Sequence, residues 1–346
     1  MALASSARVA VDALGGDHGP RVVVEGAVAA SRELGVSLSL VGPREIVAEE
    51  LRRANSKGLP IDLIDAREAV AMAEKVSRAT LKKRSSILVA LELVRDGGAD
   101  AFFSAGNTAA CWAIAKTVLG TLPEVDRPAL AAVVPNIQGR TVLLDVGANA
   151  NCKARQLEEF AVMGKVYTRA MFKTPNPRVG LMSMGEEETK GNDLTREVHE
   201  VLKASSLNFV GNVEGGDLFS GKVDVIVMDG FTGNVVLKAS ESLAESILFL
   251  MKEELYRTPI TRLGAWLSRP AFRAVGRRID ASEYGGAPLL GVRGCCVIGH
   301  GRSNAHAIKH GIRTAAEFFK SGVNTAIESE VHELMARRAA AAVGNA

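Results

Sequence analysis

The sequence predicts an α/β protein built on a mostly parallel sheet, and three observations carry that expectation. Short, nearly continuous apolar runs recur along the chain, as strands buried on both faces require. They alternate with segments of helical periodicity, the pattern of strand–helix–strand crossovers. Most runs end in glycine- and asparagine-rich turns: DALGGDHGP (12–20), FSAGNTAA (103–110), LLDVGANANCK (143–153), VMDGFTGNVVLK (227–238) and VIGHGRSNAHAIK (297–309). In an open α/β sheet such turns gather at the carboxyl ends of strands, where ligands bind. Free N–H groups at the helix starts that follow are anion sites. One large polar cleft is therefore expected.

The elements follow in order. Residues 7–13 (ARVAVDA) read as a strand, and Pro20 opens a helix through Leu34, because proline suits the first helical turn. SLSLVG (37–42) is a strand followed by the helix PREIVAEELRRAN (43–55). IDLIDA (61–66), ADAFFSA (99–105), ALAAVVP (129–135) and RTVLLDV (140–146) are further strands. A helix over 155–171 carries Leu157, Phe160, Ala161, Val166 and Tyr167 as its apolar positions. RVGLMSMG (178–185) precedes a helix over 192–204, and LNFVGNV (207–213), VDVIVMDG (223–230) and CCVIGHG (295–301) complete the strands.

With 346 residues and 47% apolar content, the chain can bury one large α/β unit over 1–340, or two lobes. Residues 340–346 (AAAVGNA) are expected to fray. A net charge of +3 is too mild to imply a nucleic-acid partner. Cys111, Cys152, Cys295 and Cys296 form no CxxC pair, and no His/Cys cluster has zinc spacing. They read as reduced structural thiols. No signal peptide and no transmembrane run is recognised, so a cytoplasmic location is expected.

Residues 243–279 depart from the pattern. They read as a helical hairpin broken near Pro259 and Pro270. Six arginines and no acid lie between Arg257 and Arg278. Arg262, Arg269, Arg273, Arg277 and Arg278 are interleaved with Trp266, Leu267 and Phe272, which suits a helix lying on an anionic membrane surface. Packing on a partner subunit is the other reading, and both are compatible.

The turns supply the candidate chemistry. Gly15 and Gly16 allow close backbone approach to a ligand, beside Asp12, Asp17 and His18. The glycine spacing is neither GxGxxG nor a P-loop. Ser104, Asn107 and Thr108 sit at a helix start, where they cap it or leave room for phosphate. GEEETKGND (185–193) brings Lys190 and Asn192 after an apolar run, and its acids do not have convincing metal spacing. His300 sits between glycines next to Arg302 and Ser303. No GxSxG elbow is present.

In this order the turns resemble the PlsX family, the acyl carrier protein-dependent phosphate acyltransferases of bacterial phospholipid synthesis. The resemblance runs from about Val9 to about Phe318 through DALGGDHGP, SAGNTAA, LPEVDRPALA, LLDVGANANCK, MGEEETKGNDLT, GNVEGGDLFSG, DGFTGNVVLK and YGGAPLLGVRG…HGRSNA. The family pattern usually has Met at Leu14, Gly at Ala109, Asp at Asn151, Pro at Ala154 and Ser at Arg302. Asn151 removes a carboxylate from a cleft turn, and Arg302 adds a cation.

The resemblance implies a dimeric α/β/α sandwich similar to phosphotransacetylases and isocitrate-type dehydrogenases. It implies that phosphate attacks the thioester of a fatty acyl–acyl carrier protein, giving acyl phosphate for a downstream membrane glycerol-3-phosphate acyltransferase. Thioester and mixed anhydride are both activated acyl groups, so no cofactor or metal is expected. The protein must position phosphate and stabilise an oxyanion. The expected catalytic residues are Lys190, His300, Asp17 and His18. Asp12, Gly15, Gly16, Ser104, Asn107, Thr108, Asn149, Lys153, Asn192 and Asn234 are expected to bind phosphate or substrate. The competing readings are a metal-dependent dehydrogenase of the isopropylmalate type and a peripheral membrane scaffold.

Overall fold

A computed structural model describes residues 7–279 and 285–344. Strand β1 (Arg8–Asp12) leads into helix α1 (Gly19–Leu34), which carries Pro20 in its first turn and stops at Gly35 in the left-handed region, φ 67°. There follow β2 (Ser37–Gly42), α2 (Arg44–Arg53), β3 (Ile61–Asp65), α3 (Arg78–Lys82), α4 (Ser86–Arg95), β4 (Ala101–Ser104) and α5 (Thr108–Leu119). The chain continues through β5 (Ala129–Pro135), β6 (Arg140–Leu144), α6 (Ala154–Phe172), β7 (Val179–Met182), α7 (Asp193–Lys203), β8 (Phe209–Val213) and β9 (Val225–Val227). Helices α8 (Gly230–Tyr256), α9 (Pro259–Leu267) and α10 (Arg269–Ile279) precede β10 (Ala287–Leu290), β11 (Cys295–Ile298), α11 (Ala305–Lys320) and α12 (Val323–Gly344).

The described strands form one sheet in the order β3-β2-β1-β4-β11-β10-β5-β6-β9-β7-β8. Helices cover both faces, because alternate residues of each strand enter different cores. Val9 and Val11, Ala101 and Phe103, and Val142 and Leu144 join one core with α1, α6 and α11. Ala10, Phe102 and Leu143 join the other with α4 and α5. At the α1–α11 contact a Cβ on Gly26 would lie 2.6 Å from the Ala305 carbonyl oxygen and the Ile308 Cβ.

Two differences from the sequence expectation matter. First, β10 was not expected. APLL is short, flanked by glycines and carries Pro288, which cannot donate to a ladder. It pairs antiparallel with β11 and with β5, and β5 pairs antiparallel with β6. Three reversals make the two parallel halves, β3-β2-β1-β4-β11 and β6-β9-β7-β8, run opposite ways. The turns therefore fall into two groups rather than one row. Second, the hairpin begins earlier than residue 243, as one 27-residue helix from Gly230. Two further helices follow, and α10 returns toward β5. The segment expected to fray is helical as far as Gly344.

Gly26→Val is expected to wedge α1 from α11 and lower stability by about 1–3 kcal/mol. Urea unfolding followed by circular dichroism measures it, and an unchanged midpoint would show that this contact relaxes freely.

Candidate active site

The first group of turns forms where β1, β4 and β11 lie side by side in parallel. Ser104 Oγ donates to Asp12 Oδ2 at 2.7 Å and accepts Gly106 N–H at 2.9 Å. Leu14 N–H donates to Asp12 Oδ1. Burial pushes the Asp12 carboxyl pKa up, against the lowering effect of Ser86, Ser104 and the Leu14 and Gly15 N–H groups. A Cβ on Gly15 would meet Gly106 N at 2.8 Å and Asp12 Oδ2 at 2.9 Å. Gly16 has φ +93°, a conformation that glycine adopts without strain. Asp17 N–H donates to the Gly301 carbonyl at 2.8 Å, joining the first turn to the last.

The second group is built around Asp145, which is fully buried. Its Oδ1 accepts Leu130, Gly147 and Ala148 N–H at 3.1, 3.1 and 3.0 Å. Its Oδ2 accepts Asn149 N–H at 2.7 Å and Asn149 Nδ2 at 2.9 Å. Burial raises the Asp145 pKa, and these donors oppose it. The helix α8 docks on this turn at backbone distance. Gly230 N–H donates to the Asn149 carbonyl at 2.8 Å, and a Cβ on Gly233 would overlap the Asp145 carbonyl oxygen. Asn234 lies over Gly147, where a Cβ would stand 3.7 Å from its Oδ1. Asp229 caps the helix through Thr232 N–H.

The same face of α8 then reaches the first group. Lys238 Nζ stands 3.3 Å from His300 Nε2 and 3.3 Å from Glu241. Arg302 N–H points at His300 Nδ1 at 3.2 Å, and the Arg302 guanidinium pairs with Glu245 at 3.3 Å. A neutral imidazole has one free lone pair for these two donors, and a protonated one has none. Partial burial and the Lys238 charge hold the His300 pKa below the ordinary histidine range. The ring is thus neutral at neutral pH, beside two cations. Lys238 was missing from the sequence-based site, although it closes the motif DGFTGNVVLK. Its signal is helical spacing from Gly230 through Asn234 to Lys238, legible once the helix start at Asp229 is fixed.

Several expected ligands are turned inward instead. Asn107 Oδ1 caps α5 through Ala110 N–H, and its Nδ2 donates to the carbonyls of Ala71, Met72 and Glu74. Asn149 Nδ2 is shared between Asp145 and the Pro128 carbonyl. With Ser104 and Asp12 these residues bond within and between the turns and shape them. A buried position offers its polar atoms to neighbouring backbone first. Thr108 is the first residue of α5 and exposed, as are Asp17, His18, Lys153 and Lys190. Lys190 and Asn192 sit on the β7–α7 loop, two strands from β6 in the second half. Asn192 caps α7 through Thr195 N–H, and no recorded contact among the described residues joins this loop to His300.

In the hairpin, Trp266 and Leu267 are 67% and 65% exposed. Phe272 is half-buried, while Arg262, Arg269, Arg273 and Arg278 are exposed. The Arg277 side chain lies outside the described residues. Among the described residues no helix is long and apolar enough to cross a membrane, and no group of three or more His, Cys, Asp or Glu side chains could hold a metal ion. Cys111 and Cys295 are buried thiols whose pKa burial pushes up to about 12.

The architecture defines the class of the protein: the α/β fold of the phosphotransacylases. It resembles a phosphotransacetylase from Streptococcus pyogenes (TM-score 0.63, 19% identity, 92% of this chain and 95% of that one). It also resembles a branched-chain phosphotransacylase from Enterococcus faecalis V583 (TM-score 0.58, 14% identity, 90% and 99%). Sequence narrows this further. The family described as fatty acid synthesis protein matches residues 7–326. A phosphate acyltransferase of Acidobacterium capsulatum is 52% identical over 324 residues, 93% of this chain and 96% of the relative. One of Aquifex aeolicus is 46% identical over 318 residues, 92% and 94%. The chain belongs to this fatty acid synthesis protein family, the PlsX family that its turns resemble.

Asp145→Ala would orphan up to five buried donors. It is expected to cost about 3 kcal/mol or more of stability and to loosen α8. Urea unfolding measures the first effect, and amide exchange at Gly230–Asn234 the second. Native-like protection there would show that α8 does not depend on this carboxylate.

Proposed function

We propose that the chain moves a fatty acyl group from acyl carrier protein to inorganic phosphate, releasing acyl phosphate, with the phosphate seated between Lys238 and His300. One observation carries the placement: the mismatch of donors at His300. An oxyanion between the two side chains accepts from the Lys238 ammonium and from the neutral His300 Nε2–H, so both gain a partner. The exposed cations of Lys153 and Lys190 add to a field that attracts an anion. The charges of Glu241 and, less strongly, Asp17 oppose the lowering of the His300 pKa.

In the reaction a phosphate oxygen attacks the thioester carbonyl carbon. The new C–O bond forms, the C–S bond breaks, and the departing thiolate takes a proton. Phosphate is nucleophilic at neutral pH and thiolate is a good leaving group. The chain's contribution is therefore orientation and charge stabilisation. A dehydrogenase reading would need a metal-and-carboxylate constellation, and the turns do not assemble one among the described residues.

The hairpin serves delivery. Trp266, Leu267 and the half-buried Phe272, with Arg262, Arg269, Arg273, Arg277 and Arg278, suit reversible attachment to an anionic leaflet from the cytoplasm. There a downstream membrane glycerol-3-phosphate acyltransferase would take the product. Exposed Leu243, Ile247 and Leu250 repeat at helical spacing along α8, which supports a homodimer through this helix.

Lys238→Ala and His300→Ala are each expected to lower kcat/KM for phosphate by about tenfold or more, near 1.4 kcal/mol per tenfold. Lys190→Ala is expected to have the smaller effect, since Lys190 does not touch His300. The reaction needs neutral His300, so the acid limb of kcat/KM should lie below the ordinary histidine pKa of about 6.5. Lys238→Met removes a cation that lowers this pKa, so the limb should move to higher pH. An unmoved limb would dissociate His300 from the rate.

The membrane claim is checked by sedimentation with anionic vesicles. The protein should pellet at low salt and be released at high salt. Glutamate at Arg262, Arg269, Arg273, Arg277 and Arg278 should leave it in the supernatant with its soluble activity intact. Equal pelleting of both proteins would withdraw the claim.

A further inference from the structure

Residues 67–84, between β3 and α4, carry six basic side chains against two acidic ones. Their excess of positive charge is larger than that of the whole chain, +3. One of the acids is turned to internal use. Glu74 accepts Ala71 N–H at 3.3 Å and Thr80 Oγ1–H at 3.2 Å, and pairs with Lys83 at 3.2 Å. Arg84 pairs with Glu92, and Arg67 with Asp65. That leaves Lys75, Arg78 and Lys82 exposed, without an ion-pair partner among the described residues. Beside them, Met72 and Val76 are exposed. A shallow, open depression of about 750 Å³ lies on this surface, lined by Lys75, Lys82, Lys83 and Arg84 together with Glu68 and Glu74.

This patch borders the candidate site. The Asn107 amide holds the carbonyls of Ala71, Met72 and Glu74 at 3.2, 3.0 and 3.0 Å. A Cβ on Gly301 would come 2.5 Å from Met72 Cε, so the patch begins where the His300 turn ends. It is ordered by its own bonds, with Ser77 and Thr80 capping α3 reciprocally.

We propose that this exposed basic patch docks an acidic protein that carries the acyl thioester on a flexible arm, placing the thioester beside His300. The identity of the cargo rests on the reading of the reaction above. The unpaired cations, with the exposed apolar Met72 and Val76 beside them, fit an acidic protein face with an apolar patch. Residues 67–84 contain no Phe, Tyr or Trp on which unpaired bases stack.

The test is the triple variant Lys75→Glu, Arg78→Glu, Lys82→Glu in the full chain, with two readouts. By calorimetric titration with holo acyl carrier protein, which bears a free thiol and cannot react, the variant's Kd should weaken by at least about tenfold and lose most of its salt dependence. With phosphate and an acyl-pantetheine thioester, which lacks the acidic protein, kcat/KM should stay within about twofold of the parent. Unchanged carrier affinity overturns the proposal, and so does an equal loss with both donors, because the patch would then belong to the reaction site or the fold. Loss of RNA-oligomer or vesicle binding in place of carrier binding overturns it as well. Carrier binding through this patch in a protein that moved no acyl group to phosphate would uphold the docking surface and sink the reading of the reaction.

Discussion

The carboxylate of Asp145 is the interaction on which the site's geometry depends. It gathers N–H groups from Leu130, Gly147, Ala148 and Asn149, so the start of β5 and the turn after β6 become one rigid seat. Helix α8 is pressed onto that seat at Gly230 and Gly233, where any side chain would hold it off. The direction of the helix is then fixed, and with it the meeting of Lys238 and His300. A polar group this deeply buried must be satisfied or it becomes a large penalty. The same bonds that satisfy Asp145 therefore aim a residue of one half of the sheet at a turn of the other half.

The polar turns divide into two kinds of work. Asp12, Ser104, Asn107 and Asn149 direct their atoms into the protein and hold backbone in shape. The exposed polar groups on and beside these turns are Asp17, His18, Lys153, Lys190, Lys238 and His300. A cleft of this kind needs few catalytic side chains, because phosphate and thioester already have the required reactivity. What it needs is a fixed array of donors where negative charge collects, and buried fasteners behind that array keep it fixed.

Much of this was legible from the chain. Val9–Val11, Phe102–Phe103, Leu143–Leu144 and Ile226 read as doubly buried strands because their neighbours on both sides are apolar, and the sheet has them there. Pro20 marked the first turn of α1 by backbone geometry alone. The antiparallel centre was not legible, because Pro288 and the glycines around it give β10 the composition of a turn. Pairing with β11 and β5, a tertiary contact, overrides it. The fastening roles of Asn107 and Asn149 were hidden for a related reason. The same amide that can hold a phosphate can hold three carbonyls, and only the return of residues 71–74 across the site decides between them. Lys238 escapes the sequence because the hairpin is expected only from residue 243, whereas α8 begins at Gly230.

The length of α8 has a mechanical consequence. The helix is clamped near Gly233, touches His300 five residues later and runs on to Tyr256, with little burial beyond its first turns. At 1.5 Å per residue, the contact with His300 is about 8 Å from the clamp and the far end about 35 Å. A stiff rod pivoting at Gly233 magnifies displacement between those two points roughly fourfold to fivefold. A shift of half an ångström at Lys238 would swing the Tyr256 end by about 2 Å. Read in reverse, anything that grips that end has mechanical advantage over the gap between Lys238 and His300.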